Sequence, residues 1–142
     1  MEKKIKVFLD SNVLFSIAYT GKEKSRSYLI YEIQEIGIIK VCLSNLVCEE
    51  TLFNIWRKKP DSEWLLKELI EKSKIFGDIA AGMKRQEILN LPQNDRIIVT
   101  TAIYHKADIF VTGNEKDFRN FYHKKVSNTI ILRPIDFLNM KF

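Results

Sequence analysis

Apolar residues fall in two kinds of run along this chain. In the first they occupy largely consecutive positions and are rich in β-branched side chains: Ile5–Leu9, Ile38–Leu43, Ile109–Thr112 and Thr129–Leu132. A strand with one wet face alternates apolar and polar residues. An unbroken run suits a strand covered on both faces, as in a parallel sheet. In the second kind the apolar positions recur at helical spacing. Ser25 to about Ile36 predicts a helix capped by Ser25 and stopped at Gly37. Ser44 can cap a helix that runs to about Lys59, where Pro60 ends it. Further helices are expected from Asp61 or Ser62 through Ile70, around Met83–Leu89, from a cap at Asn94 to about His105, and after Asn114 and Pro134.

Strands alternating with helices predict an α/β fold, a three-layer α/β/α sandwich around a mostly parallel sheet of four to five strands. Residues 1–142 read as a single domain, because no linker, repeat or low-complexity stretch interrupts them. In such sheets ligands bind outside the carboxyl ends of the strands, where strand order reverses. Helices that precede or follow a parallel strand have an end at that same edge.

Four segments place acids or their amides there. Asp10, Ser11 and Asn12 follow the first strand. Glu50, with Glu49 as its rival, lies two turns beyond Ser44. Asp95 follows Asn94 at a helix start. Thr112, Gly113 and Asn114 end the third strand, with Asp117 one turn further on. Each has a plain structural reading. Asp10 and Asn114 can cap helices, Asp95 can complement a helix dipole, and Glu50 can be a solvated surface residue. Together they predict one acidic pocket. Crowded carboxylates repel unless a cation joins them, and Mg²⁺ suits oxygen-only donors.

Composition narrows the remaining classes. The net charge is +5 with a pI near 9.2, which fits a polyanionic partner or a merely solvated lysine face. Basic residues cluster at Lys22, Lys24 and Arg26, at Arg57–Lys59, and at His123–Lys125, with Tyr28, Trp56, Phe121 and Tyr122 close by in sequence. Such mixtures can track a nucleic-acid backbone, although Trp56 and Phe121 are expected in the core. Cys42 and Cys48 read as buried thiols, not a zinc site or disulfide framework. His105 and His123 read as a helix-end and a surface residue. No stretch is long and apolar enough for a membrane helix, and no secretory h-region follows Met1, so a cytoplasmic protein is expected. The glycine-rich loop of nucleotide triphosphatases is absent.

At these residues the chain resembles the PIN-domain family, over Val7 to about Leu132. Leu9-Asp10-Ser11-Asn12-Val13-Leu14 is similar to the family's first acidic motif. Ser44 followed six residues later by Glu50, then Thr51 and Asn54, is similar to its second. Asp95 before Arg96-Ile97-Ile98 is similar to its third, and Val111-Thr112-Gly113-Asn114 to its fourth. Asn114 stands where the commonest pattern has Asp, and Asp117 is placed to compensate. The resemblance implies an endoribonuclease, dependent on Mg²⁺ or Mn²⁺, that cuts single-stranded RNA. It also implies a VapC-type toxin with an antitoxin partner, often a homodimer. Asp10, Glu50 and Asp95 would hold the metal, and Asn114 or Asp117 would complete the shell. Ser11, Asn12 and Thr112 would position water or phosphate. A rival expectation is a degenerate RNA-binding or assembly protein, because of Asn114. A phosphatase with Asp10 as nucleophile ranks last, since Asn12 replaces the second Asp of a D-x-D pair.

Overall fold

Strand β1 (Ile5–Leu9) sits inside the sheet, and Val7, Phe8 and Leu9 are wholly buried. The structure is a computed structural model that describes residues 3–79 and 86–142. The other strands are β2 (Ile39–Ser44), β3 (Lys74–Phe76), β4 (Ile109–Val111), β5 (Lys125–Val126) and β6 (Thr129–Leu132). They form one six-stranded sheet in the order β3-β2-β1-β4-β6-β5. Every pairing is parallel except β5 with β6. The α/β fold with a mostly parallel sheet is therefore as expected.

Among the described residues, seven helices surround the sheet: α1 (Ser11–Thr20), α2 (Leu29–Ile36), α3 (Asn45–Lys58), α4 (Glu63–Glu71), α5 (Gln93–Tyr104), α6 (Glu115–Phe118) and α7 (Pro134–Leu138). Connections step from β1 through β2 to β3 in one direction, then through β4 to β6 in the other. Right-handed crossovers therefore put α1–α4 on one face and α5 and α6 on the opposite one. In keeping with this, α1, α3 and α4 pack on one another. The direction of travel reverses between β1 and β4, which opens a crevice at their carboxyl ends.

Local chemistry explains the turns that aim the chain at this crevice. Gly37 ends α2 with φ of 96°, a left-handed conformation that side chains disfavour. Ser44 is fully buried and accepts a hydrogen bond from the Val47 backbone N–H at 3.1 Å. This cap starts α3 at the carboxyl edge of β2. The inward side of α3 is Val47, Thr51 and Ile55.

Several boundaries differ from expectation. Strands β3 and β5 are additional. A 3₁₀ turn at Arg26–Tyr28 precedes α2, and the Ser25 side chain makes no capping bond. Helix α5 begins at Gln93, behind Pro92, so Asn94 lies in its first turn and is not the cap. Of the helix expected around Met83–Leu89, residues 83–85 lie outside the described residues, and Gln86–Ile88 forms a 3₁₀ turn. Trp56 is 53% exposed, not in the core, and donates its indole N–H to Glu63. Phe121 is half-buried against the core. Cys42 is buried and Cys48 half-buried, and burial pushes both thiols up to about 11. Among the described residues no helix is long and apolar enough to cross a membrane.

Replacing Ser44 with Ala leaves the Val47 N–H buried without its acceptor. We expect a loss of about 1 kcal/mol, read as a lower urea midpoint with an unchanged slope.

Candidate active site

Asp10 follows β1 at the reversal of strand order and is only 3% exposed. A carboxylate so deeply buried needs hydrogen bonds to hold its charge. The Ser11 backbone N–H donates to Oδ1 at 2.8 Å, and the Thr112 hydroxyl donates to Oδ2 at 2.7 Å. The Asn12 amide adds a longer contact to Oδ2 at 3.4 Å. Burial raises the Asp10 pKa above the ordinary carboxylate value. The bonds from Thr112 and Ser11 oppose this, while the Glu50 charge adds to the rise.

Asn12 and Thr112 tie α1 to the end of β4. Asn12 Oδ1 accepts from the Gly113 N–H at 2.9 Å, and Thr112 Oγ1 accepts from the Asn114 N–H at 3.1 Å. The Tyr122 hydroxyl braces the same corner by donating to the Thr112 carbonyl at 3.0 Å. Thr112 is fully buried and works on Asp10 from behind.

Glu50 arrives from α3. The Ser11 hydroxyl donates to its Oε1 at 2.5 Å, and the Asn94 amide to its Oε2 at 3.0 Å. Glu49 is exposed, and it is Glu50 that lines the cavity described below. Asp95 comes from the first turn of α5 and is half-buried. Burial and the Asp10 charge push its carboxyl up to about 7, helped by a hydrogen bond with Asp117 and the charges of Asp117 and Glu50. Asn114 holds Asp117 twice. Its Nδ2 donates to the carboxylate at 2.9 Å, and its Oδ1 accepts from the Asp117 N–H at 3.3 Å. The amide thus orients a neighbouring acid and caps α6.

A cavity of about 470 Å³ opens over Asp10, Ser11, Asn12, Glu50 and Asp95. Asn114, Asp117 and Thr112 do not line it. Phe15, Phe53, Asn54 and Lys58 complete the wall; of these, only Asn54 is part of the motif expected around Glu50. A usable signal existed: Phe53 and Asn54 lie three and four residues beyond Glu50, which puts them beside it on a helix surface.

The donor set is all oxygen, as hard divalent cations require. Among the described residues, no three His, Cys, Asp or Glu side chains form a ready-made ligand group. Each carboxylate instead leans on neutral donors. Mg²⁺ ordinarily takes one or two carboxylates and keeps several waters, so it needs no complete protein cage. The raised Asp95 carboxyl is the local sign that positive charge would be favourable here. The oxygens of Asp10, Glu50 and Asp95 suit such an ion by their chemistry.

The sequence pattern of the PIN domain matches residues 7–124 of the chain. The chain belongs to the PIN-domain family. No curated protein matches it. Solved structures share the PIN fold at low identity. VapBC2 from Rickettsia felis, bound to a DNA fragment from its promoter, is 21% identical with a TM-score of 0.66, covering 91% of this chain and 98% of that one. A toxin–antitoxin complex from Klebsiella pneumoniae is 21% identical with a TM-score of 0.61, covering 87% and 95% respectively. At this identity the likeness concerns the fold.

The raised Asp95 carboxyl of this PIN domain has a consequence for stability. Its folded pKa of about 7 exceeds the ordinary value of 3.8, so between these pH values the native state binds more protons than the unfolded one. Raising the pH through that window therefore removes stability. We expect the Tm of metal-free protein to fall from pH 5 to pH 8, and Asp95→Asn to flatten the profile. A wild-type Tm that does not fall over this range would contradict the assignment.

Proposed function

We propose that this PIN domain is a metal-dependent endoribonuclease acting on single-stranded RNA, and the toxin of a toxin–antitoxin pair. The observation that carries the reading is the gathering of Asp10, Glu50, Asp95 and Asp117 at one switch point, where burial, with the Asp10, Asp117 and Glu50 charges adding to it, pushes Asp95 up to about 7. The toxin assignment draws support from the structural neighbours, which are toxin–antitoxin complexes. An antitoxin and a second copy of the chain are the protein partners this reading anticipates.

Asp10, Glu50 and Asp95 would hold Mg²⁺ or Mn²⁺, which supplies an acidified water and neutralises charge on the scissile phosphate. The chain's own groups do the rest. Ser11 and Asn94 fix the Glu50 carboxylate, while Thr112 and Asn12 fix Asp10. Asp95 and Asp117 form a hydrogen-bonded pair, which holds the Asp95 carboxyl in place beside Asp10 and Glu50. Asn114 keeps Asp117 turned towards that pair. This role accounts for the amide without a degenerate site.

Basic clusters flank the region. Lys58 borders the pocket, whereas Lys22 is engaged by Glu68 at 2.6 Å and Lys59 by the Tyr19 carbonyl at 2.9 Å. RNA affinity should fall as salt rises.

The deciding experiment incubates purified protein with single-stranded RNA in Mg²⁺, in Mn²⁺ and in EDTA. Cleavage is expected with either metal, and none in EDTA. Asp10→Asn should keep the fold and lower the rate by more than the roughly 10–100-fold typical of an outer-shell change. Metal-independent binding without cleavage, indifferent to Asp10→Asn, would replace the nuclease reading with that of an RNA-binding protein. Thr112→Val should also reduce apparent Mg²⁺ affinity by about 10–100-fold, because it deprives Asp10 of its shortest hydrogen bond. A Mg²⁺ titration of activity measures this directly.

A further inference from the structure

The acidic pocket has a second half that the cleavage chemistry does not use. Phe53, Asn54 and Lys58 share its wall with Glu50, all on α3. Helix α3 buries Val47, Thr51 and Ile55, yet leaves Phe53 57% exposed. Phe53 therefore contributes little to the core, and its ring borders the pocket one turn from Glu50. The Arg57 guanidinium sits 5.5 Å over the Phe53 ring, and the Lys58 ammonium 5.4 Å over that of Phe15. Among the described residues neither cation forms an ion pair within 4 Å. Asn54 is half-buried, and its amide has no described hydrogen-bond partner.

We propose that Phe53, Asn54 and Lys58 form a seat for one unpaired nucleobase and its phosphate, next to the cleavage centre. The proposal rests on the nuclease reading and names how its substrate is held. The base stacks on the Phe53 ring, the Asn54 amide meets its edge with a donor and an acceptor, and Lys58 engages the adjoining phosphate. Three features favour this occupant over an apolar peptide. The aromatic surface is interleaved with cations, as stacking platforms on a nucleic-acid path are. Lys58 is the one cation in a wall that otherwise repels phosphate. The cavity of about 470 Å³ is of small-ligand size, not the long groove that a helix requires. A paired base has no free face to offer, so the seat selects single strands.

The test uses full-length protein carrying Asp10→Asn, to prevent cutting, with a short fluorescent single-stranded RNA in Mg²⁺. Phe53→Ala should weaken binding at least about fivefold, as loss of one stacked base does. Phe53→Trp should bind at least as tightly as the parent, and an RNA with one abasic position should no longer distinguish Phe53→Ala from it. Lys58→Ala should lower the slope of log Kd against log salt by about 0.7, the signature of one lost contact on a single strand. Should Phe53→Ala fail to fold, Phe53→Leu, which keeps most of the bulk and loses the ring face, takes its place against both RNAs with the same expected outcomes. Unchanged affinity in both Phe53 variants, with cleavage by the native protein intact, overturns the base seat and leaves the nuclease standing. Unchanged RNA affinity with loss of self-association in sedimentation assigns this face to a contact between copies and equally overturns it. If the parent does not bind single-stranded RNA and the native protein does not cut it, both readings fall together.

Discussion

The burial of Asp10 organises the rest of this structure. A carboxylate with 3% exposure would lose its charge in an apolar surrounding unless donors were fixed around it. Those donors come from two elements: the Ser11 backbone N–H and the Asn12 amide at the start of α1, and the Thr112 hydroxyl just past β4. The same bonds that hold the charge therefore hold the crevice open at a defined width. Glu50 and Asp95 meet Asp10 only because α3 and α5 both begin at this edge of a parallel sheet.

Much of this arrangement was legible in the residue pattern. Strands β1, β2, β4 and β6 announce themselves because both of their faces are covered, which demands unbroken apolar runs. Strands β3 and β5 do not. They are two or three residues long, lie at the sheet edges, and include exposed positions such as Lys74, Ile75 and Lys125. Edge pairing depends on a neighbouring backbone more than on side-chain character. Helix α5 starts two residues earlier than its expected cap at Asn94 implies: Asn94 is a good cap in the abstract, yet Pro92 sets the entry and frees the amide for Glu50.

The pocket's second wall was misread for a related reason. Apolar periodicity marks residues that avoid water and does not say which neighbour shields them. On α3 the pattern includes Phe53 and Trp56 with the true core positions, although both rings are more than half exposed. The polar side of the helix, with Glu50 and Asn54, instead faces the cavity. Asn114 also illustrates the limit of motif reasoning. A family position occupied by an amide looked like a lost ligand, whereas the geometry shows it steering the adjacent Asp117.

Chain order gives the site a timing. Asp10 is made well before the hydroxyl that steadies it, which lies 102 positions later, and its own backbone N–H pairs with the Val111 carbonyl. A nascent chain still lacking β4 has its first acid but neither the wall nor the donor that shapes it. The acidic centre can be assembled only after β4 has left the ribosome, so a product of translation that stops before β4 lacks the formed centre.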